Sequence, residues 1–125
     1  MPQLELQRPL VIFDIESTGT DPMRDRIIDL AVIRLEPDRS RSAREFRFNP
    51  GQPIPPAATA IHGITDEDVR NAPRFEERAS EVDWWFRDAD LAGFNIVRFD
   101  VPILGAEFKR ANHPFSLRHR RLVDA

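Results

Sequence analysis

Two carboxylates interrupt the apolar run VIFDIESTG, residues 11–19: Asp14 and Glu16, two positions apart. Side chains alternate faces along a strand, so the pair points the same way, about 7 Å apart at roughly 3.3 Å per residue. Buried carboxylates on one face repel each other and lose hydration unless a cation lies between them. A solvated pair at a strand end is the other reading, and Asp-x-Glu by itself does not separate the two. A further acid closes GFNIVRFD, residues 93–100. Asp100 follows a short apolar strand, where α/β sheets place ligands, and stands near a helix start, which favours its ionised form. It can also serve as a plain first-turn or capping acid. With no Cys in the chain, any metal must take oxygen or imidazole ligands, which favours hard divalent cations.

The elements that must hold these acids follow from periodicity and breakers. Leu10 to Ile15 is a continuous apolar run and reads as a buried strand, broken by Gly19-Thr20-Asp21-Pro22. Ile27 to Leu35 is a second strand, rich in β-branched residues, and Ser42 to Phe48 a third, with Phe46 and Phe48 on one face before Asn49-Pro50-Gly51. Short links between the three predict antiparallel neighbours. Ala57 to His62 reads as a short helix stopped by Gly63, and Thr65 with Asp68 as a capping box for another. Pro73 opens a longer helix with Phe75, Ala79, Val82, Phe86 and Ala89 on one face; Trp84 and Trp85 read as core and rim rather than as a base-stacking platform. A fourth strand covers Leu91 to Phe94. Either Asn95 caps the next helix and Pro102 kinks it, or the helix starts later with Pro102 in its first turn; it runs to about Ala111. Leu122-Val123 begins a fifth strand.

FDIESTG resembles the first motif of the DnaQ-like DEDD 3′-to-5′ exonucleases, the superfamily of the proofreading epsilon subunit, ribonuclease T and oligoribonuclease. IHGIT (Ile61 to Thr65) resembles the segment beside the terminal nucleotide, and NIVRFD (Asn95 to Asp100) the second motif. The three stand in family order, and the resemblance covers the chain from Pro9 onward. It implies an α/β, ribonuclease H-like fold: a mixed sheet with an antiparallel meander, then parallel strands, and flanking helices. It implies a site of two Mg²⁺ or Mn²⁺ ions, since cations about 3.5 to 4 Å apart stabilise both the attacking and the leaving oxygen of a phosphodiester. Asp14, Glu16 and Asp100 would be the metal ligands and catalytic acids. Thr18 and Gly19 would approach the terminal sugar, and His62 and Phe99 would border the nucleotide. For His62 a plain helix-end role beside Gly63 remains open. The implied partner is a single-stranded DNA or RNA 3′ end, with a DNA polymerase as a further candidate.

The family completes its site with a third motif, an Asp plus a His or Tyr that activates water. The chain has no Tyr, which leaves the His type: His, four residues, then Asp on a helix well downstream. The sequence ends 25 residues past Asp100, before that helix is expected, so a C-terminally truncated domain is the expectation. His119 and Asp124 have the right separation; on a helix five residues rise about 7.5 Å and both could reach one site, but in a strand they lie about 16 Å apart. Arg121-Leu122-Val123-Asp124 reads as strand. Two alternatives follow. One is a non-catalytic nucleotide- or nucleic-acid-binding module of the same fold. The other is a phosphatase of the haloacid dehalogenase type, which opens with Asp-x-acid-x-Thr but prefers Asp where Glu16 stands and needs a parallel sheet.

The 125 residues fit one domain, 1–125, with a flexible tail over 1–8. No apolar run approaches the roughly 20 residues of a membrane span, and no signal segment opens the chain, so a cytoplasmic, membrane-free protein is expected. The net charge of −3 is not that of a protein that grips nucleic acid by bulk attraction. The balance is uneven: residues 101–125 carry five basic against two acidic side chains.

Overall fold

The computed structural model describes residues 6–125. Residues 1–5 of the expected tail lie outside the described residues; Arg8, at its end, donates to the carbonyls of Asp88 and His119. Five strands, β1 (Leu10–Ser17), β2 (Ile27–Leu35), β3 (Arg41–Arg47), β4 (Asp90–Gly93) and β5 (Leu122–Asp124), form one sheet in the order β3-β2-β1-β4-β5. The first three make an antiparallel meander; β4 runs parallel to β1, and β5 parallel to β4. This is the mixed sheet expected of the ribonuclease H-like fold. The antiparallel β1–β2 pair removes the phosphatase alternative.

Between β3 and β4 lie α1 (Pro56–His62), α2 (Asp66–Val69) and α3 (Phe75–Phe86); α4 (Val101–Arg110) links β4 to β5. Pro56 begins α1 without wasting an amide, and Gly63 ends it at φ 77°. Thr65 and Asp68 close the capping box. The apolar stripe Phe75, Ala79, Val82 and Phe86 of α3 is buried together with Val11, Phe13, Leu30 and Val32 of the sheet and Ile103, Leu104 and Phe108 of α4. Phe75 contacts Phe48 on one side and Phe108 on the other at 5.3 and 5.1 Å, within the range where ring pairs add to area burial. Trp85 packs on this core while Trp84 is exposed, as core and rim. Arg34, buried in the same layer, donates to the carbonyls of Trp85 and Arg87 and so satisfies the C-terminal end of α3.

The buried-strand expectation for β1 needs correction. Val11 and Phe13 face the core, but Ile12 is 38% exposed and Asp14 is exposed. Both helical crossovers pack α3 and α4 on one side, so among the described residues no helix covers the other face of β1. No helix among them is long and apolar enough to cross a membrane.

Asn95 does not cap a helix with its side chain. It is left-handed (φ 56°) and enters a π turn over Ile96–Asp100, after which α4 starts with Pro102 in its first turn. Pro102 has no N–H to donate, and a start just before it leaves no bond broken. Leu122–Asp124 is a strand, so His119 and Asp124 do not share a helix.

Candidate active site

The open sheet face gathers the acids. Asp14 and Glu16 sit at the C-terminal end of β1, and Asp100 ends the π turn that leaves β4, the parallel neighbour of β1. Asp100 is only 8% exposed, and its Oδ2 is buried without a hydrogen-bond partner. Burial above all pushes the Asp100 carboxyl up to about 7; the charges of Asp14, Glu16 and Asp124 add to this, and the Ile15 backbone amide opposes it. Glu16 is raised as well, by burial and then by Asp14, with His62 opposing. Among the described residues no three His, Asp or Glu side chains already form a metal-ligating cluster, so the acids meet as a shared negative field rather than a closed cage. An all-oxygen donor set with one orphaned, buried carboxylate oxygen fits a hard divalent cation.

Asp29 of β2 lies opposite Glu16 and extends the acidic row. Burial raises its carboxyl first, then the charge of Glu45 and a hydrogen bond with it, while Arg47 opposes. Its presence beside Glu16 was hidden in the sequence, because the β1–β2 register shifts between Glu16 and Ser17 and residue counting across the loop does not give the pairing.

Beside the acids lies a cavity of about 430 Å³, walled by Thr18 and Gly19 from the β1–β2 loop, by Ala58, Ile61 and His62 of α1, and by Phe94, Phe99 and Asp100. All seven site residues expected from sequence therefore surround one region, since Asp14 shares the field of Glu16 and Asp100. A cavity lined by apolar side chains together with Glu16 and Asp100 suits a flat heterocycle that carries a phosphate. Phe94, 72% exposed, lies beyond the fourth strand rather than at its end: the strand stops at Gly93, Asn95 is left-handed, and Phe94 lines the cavity. The signal was Asn95 directly after Phe94, since Asn is among the residues most tolerant of that conformation after glycine.

Thr18, Gly19 and His62 are held from behind. The buried Thr18 hydroxyl donates to Asp25 Oδ1 at 3.0 Å and accepts from Arg26 N–H at 3.0 Å and Gln52 Nε2 at 2.9 Å, so it organises the loop. A Cβ on Gly19 would lie 2.5 Å from Asp25 Oδ2, so any larger residue there would have to push that carboxylate from its bonds to Thr18 and Asp21. His62 Nδ1 accepts Ile64 N–H at 3.1 Å, which leaves Nε2 to donate to the Ser17 carbonyl at 3.2 Å. The ring thus pins α1 to the end of β1 with both nitrogens engaged.

Under the loop, Glu107 of α4, 1% exposed, accepts from Arg26 Nε at 2.7 Å and Ile27 N–H at 2.9 Å. Arg110 donates to Glu107 at 3.2 Å and to the Pro22 and Asp25 carbonyls. The loop that walls the cavity is therefore bolted to the helix that follows Asp100.

Comparison with known proteins gives a consistent neighbourhood. The family model for exonucleases of the RNase T type matches residues 11–124. A PolC-type DNA polymerase III from Bacillus cereus is 29% identical over 109 residues, 87% of this chain and 8% of that protein. A DNA polymerase III subunit epsilon-like protein from Rhodobacter capsulatus is 37% identical over 97 residues, 75% of this chain and 14% of that protein. Among solved structures, E. coli exonuclease I in complex with a dT13 oligonucleotide superposes with a TM-score of 0.82 at 26% identity, over 94% of this chain and 28% of that one. The chain thus spans well under a third of each of these proteins.

Proposed function

The chain belongs to the RNase T exonuclease family, and from that premise we propose that it hydrolyses the terminal phosphodiester at the 3′ end of single-stranded DNA, with Mg²⁺ or Mn²⁺ held by Asp14, Glu16 and Asp100. The observation that carries this reading is Asp100: a buried carboxyl, lifted towards neutrality, with one oxygen unpartnered and two more carboxylates facing it. DNA rather than RNA is supported by the company the chain keeps, parts of DNA polymerase III and an exonuclease I bound to dT13. The same relatives support a DNA polymerase as partner.

When bound, the metal ions would activate water and stabilise the leaving oxygen. The chain's own residues do the rest. Phe94, Phe99, Ile61 and Ala58, which line the cavity, take the terminal base and exclude water from it. Gly19 lets the loop backbone approach the sugar, and the Thr18–Asp25–Gln52 bonds keep that loop from yielding. His62, fixed between Ser17 and Ile64, borders the nucleotide as a rigid wall and not as a base.

The second reading, a nucleotide-binding module without turnover, is favoured by one observation. Among the described residues the imidazole that borders this site has both nitrogens engaged, and His113 is bonded to Asp83 away from it. Digestion of 5′-labelled single strands with free and blocked 3′ ends, in Mg²⁺, separates the two. Stepwise shortening of the free end alone, lost in Asp14→Ala, is expected; equal cutting of both strands or activity that survives the substitution would sink the exonuclease. Saturable, Mg²⁺-dependent binding of a mononucleotide with no shortening would establish the module.

A further inference from the structure

The π turn that presents Asp100 is capped from another strand. Amides in the first turn of a helix have no acceptor within it and need one from outside. Asn95 stands in the capping place but makes no side-chain cap bond. Val97 N–H instead donates to Asp124 Oδ2 at 3.3 Å, from the C-terminal end of β5. β5 is tied there to β4, and Ala125 N–H donates to the Gly93 carbonyl at 2.9 Å, so a strand and not a loop delivers this carboxylate.

The tether matters because a π turn is a rare, locally overfilled helical turn. Were it to relax to α geometry, residue 100 would slip by one position, a rotation of about 100° at 3.6 residues per turn. Asp100 would then leave the face it shares with Asp14 and Glu16. Resting on the exonuclease reading, we infer that Asp124 is a positioning residue: by accepting the Val97 N–H it fixes the phase of the π turn and aims the Asp100 carboxylate at Asp14 and Glu16. It need not touch metal or substrate. This gives Asp124 a role distinct from a third-motif acid, for which its spacing from His119 had made it a candidate.

The test is Mn²⁺ titration of the whole chain by electron paramagnetic resonance, beside amide hydrogen exchange at Val97. Asp124→Ala should weaken Mn²⁺ binding about tenfold, the lower range for loss of a residue that orients a ligand, and should speed exchange at Val97. Asp124→Asn keeps an acceptor oxygen and should restore both. Wild-type affinity in Asp124→Ala would overturn the inference. Equal weakening in the Asn and Ala variants would overturn it too, because the charge and not the bond would then matter. Should the wild-type chain bind no Mn²⁺, the metal-dependent function fails on its own account, and Val97 exchange still decides the tether: unchanged protection in Asp124→Ala refutes it.

Discussion

Replacing Asp100 with Asn should stabilise the metal-free protein in mildly alkaline solution and do little in acid. The folded-state carboxyl is raised to about 7, against an ordinary aspartate value of about 3.9. Ionising it therefore costs the folded state and not the unfolded chain. Below the ordinary value both states hold the proton and no cost appears; the cost grows between the two values and is complete above the higher one. Three pKa units at 1.36 kcal/mol each set an upper figure of about 4 kcal/mol, and local relaxation around Asp14 and Glu16 brings the expected gain to about 2–4 kcal/mol. For a domain of this size that is a rise in Tm of about 8–16 °C. Thermal unfolding by circular dichroism in EDTA, near pH 8 and near pH 4.5, reads it directly. Divalent cation at about a hundred times its Kd should then add about 2.7 kcal/mol to the wild type and far less to Asp100→Asn. A variant no more stable than wild type near pH 8, or one whose advantage is the same at both pH values, would refute the account of Asp100 as a strained charge awaiting a cation.

Three further changes probe other parts of the same device. Glu107→Ala leaves Arg26 and the Ile27 amide without their buried acceptor and should cost about 3–5 kcal/mol in urea unfolding. Gly19→Ala drives a methyl against the Asp25 carboxylate, and should cost about 1–3 kcal/mol and weaken mononucleotide binding by moving the loop. Phe94→Ala, at a ring already largely in water, should leave Tm unchanged while costing about 1–3 kcal/mol of oligonucleotide affinity in fluorescence titration.

Much of this device was legible in the sequence because local signals and tertiary demands agreed. Ile27 to Leu35 forms the second strand with the expected bounds, since β-branched residues lie between strong breakers. Thr65 and Asp68 form their capping box because its chemistry is complete within four residues. Three features escaped. The run Leu10 to Ile15 is apolar throughout, yet only alternate residues meet the core, because the side on which helices pack is set by the crossovers and not by the strand. The pairing of Glu16 with Asp29 depends on an irregularity in register. The π turn has no residue code of its own; the conflict between a capping Asn95 and an inner Pro102 was its only trace, and one inserted residue resolved it.

The asymmetry of the sheet explains why three similar carboxylates behave differently. α3 and α4 cover one face, and among the described residues the opposite face of β1 is open, so Asp14 on that face keeps its water. Asp100 approaches the same point from inside the π turn, bonded to the Ile15 backbone and largely shut off from water. Glu16 lies between these extremes, raised by partial burial and by Asp14. The three acids therefore differ in desolvation more than in chemistry, and desolvation is what a cation reverses. The exposed Asp14 offers a cation its oxygens at the surface, whereas a cation at Asp100 would displace the proton that burial holds there and relieve the buried charge. Divalent binding would then release protons near neutral pH and relieve the folded state in one step. A carboxylate that was buried without purpose would show the first of these penalties but not an open neighbour poised to share the ion.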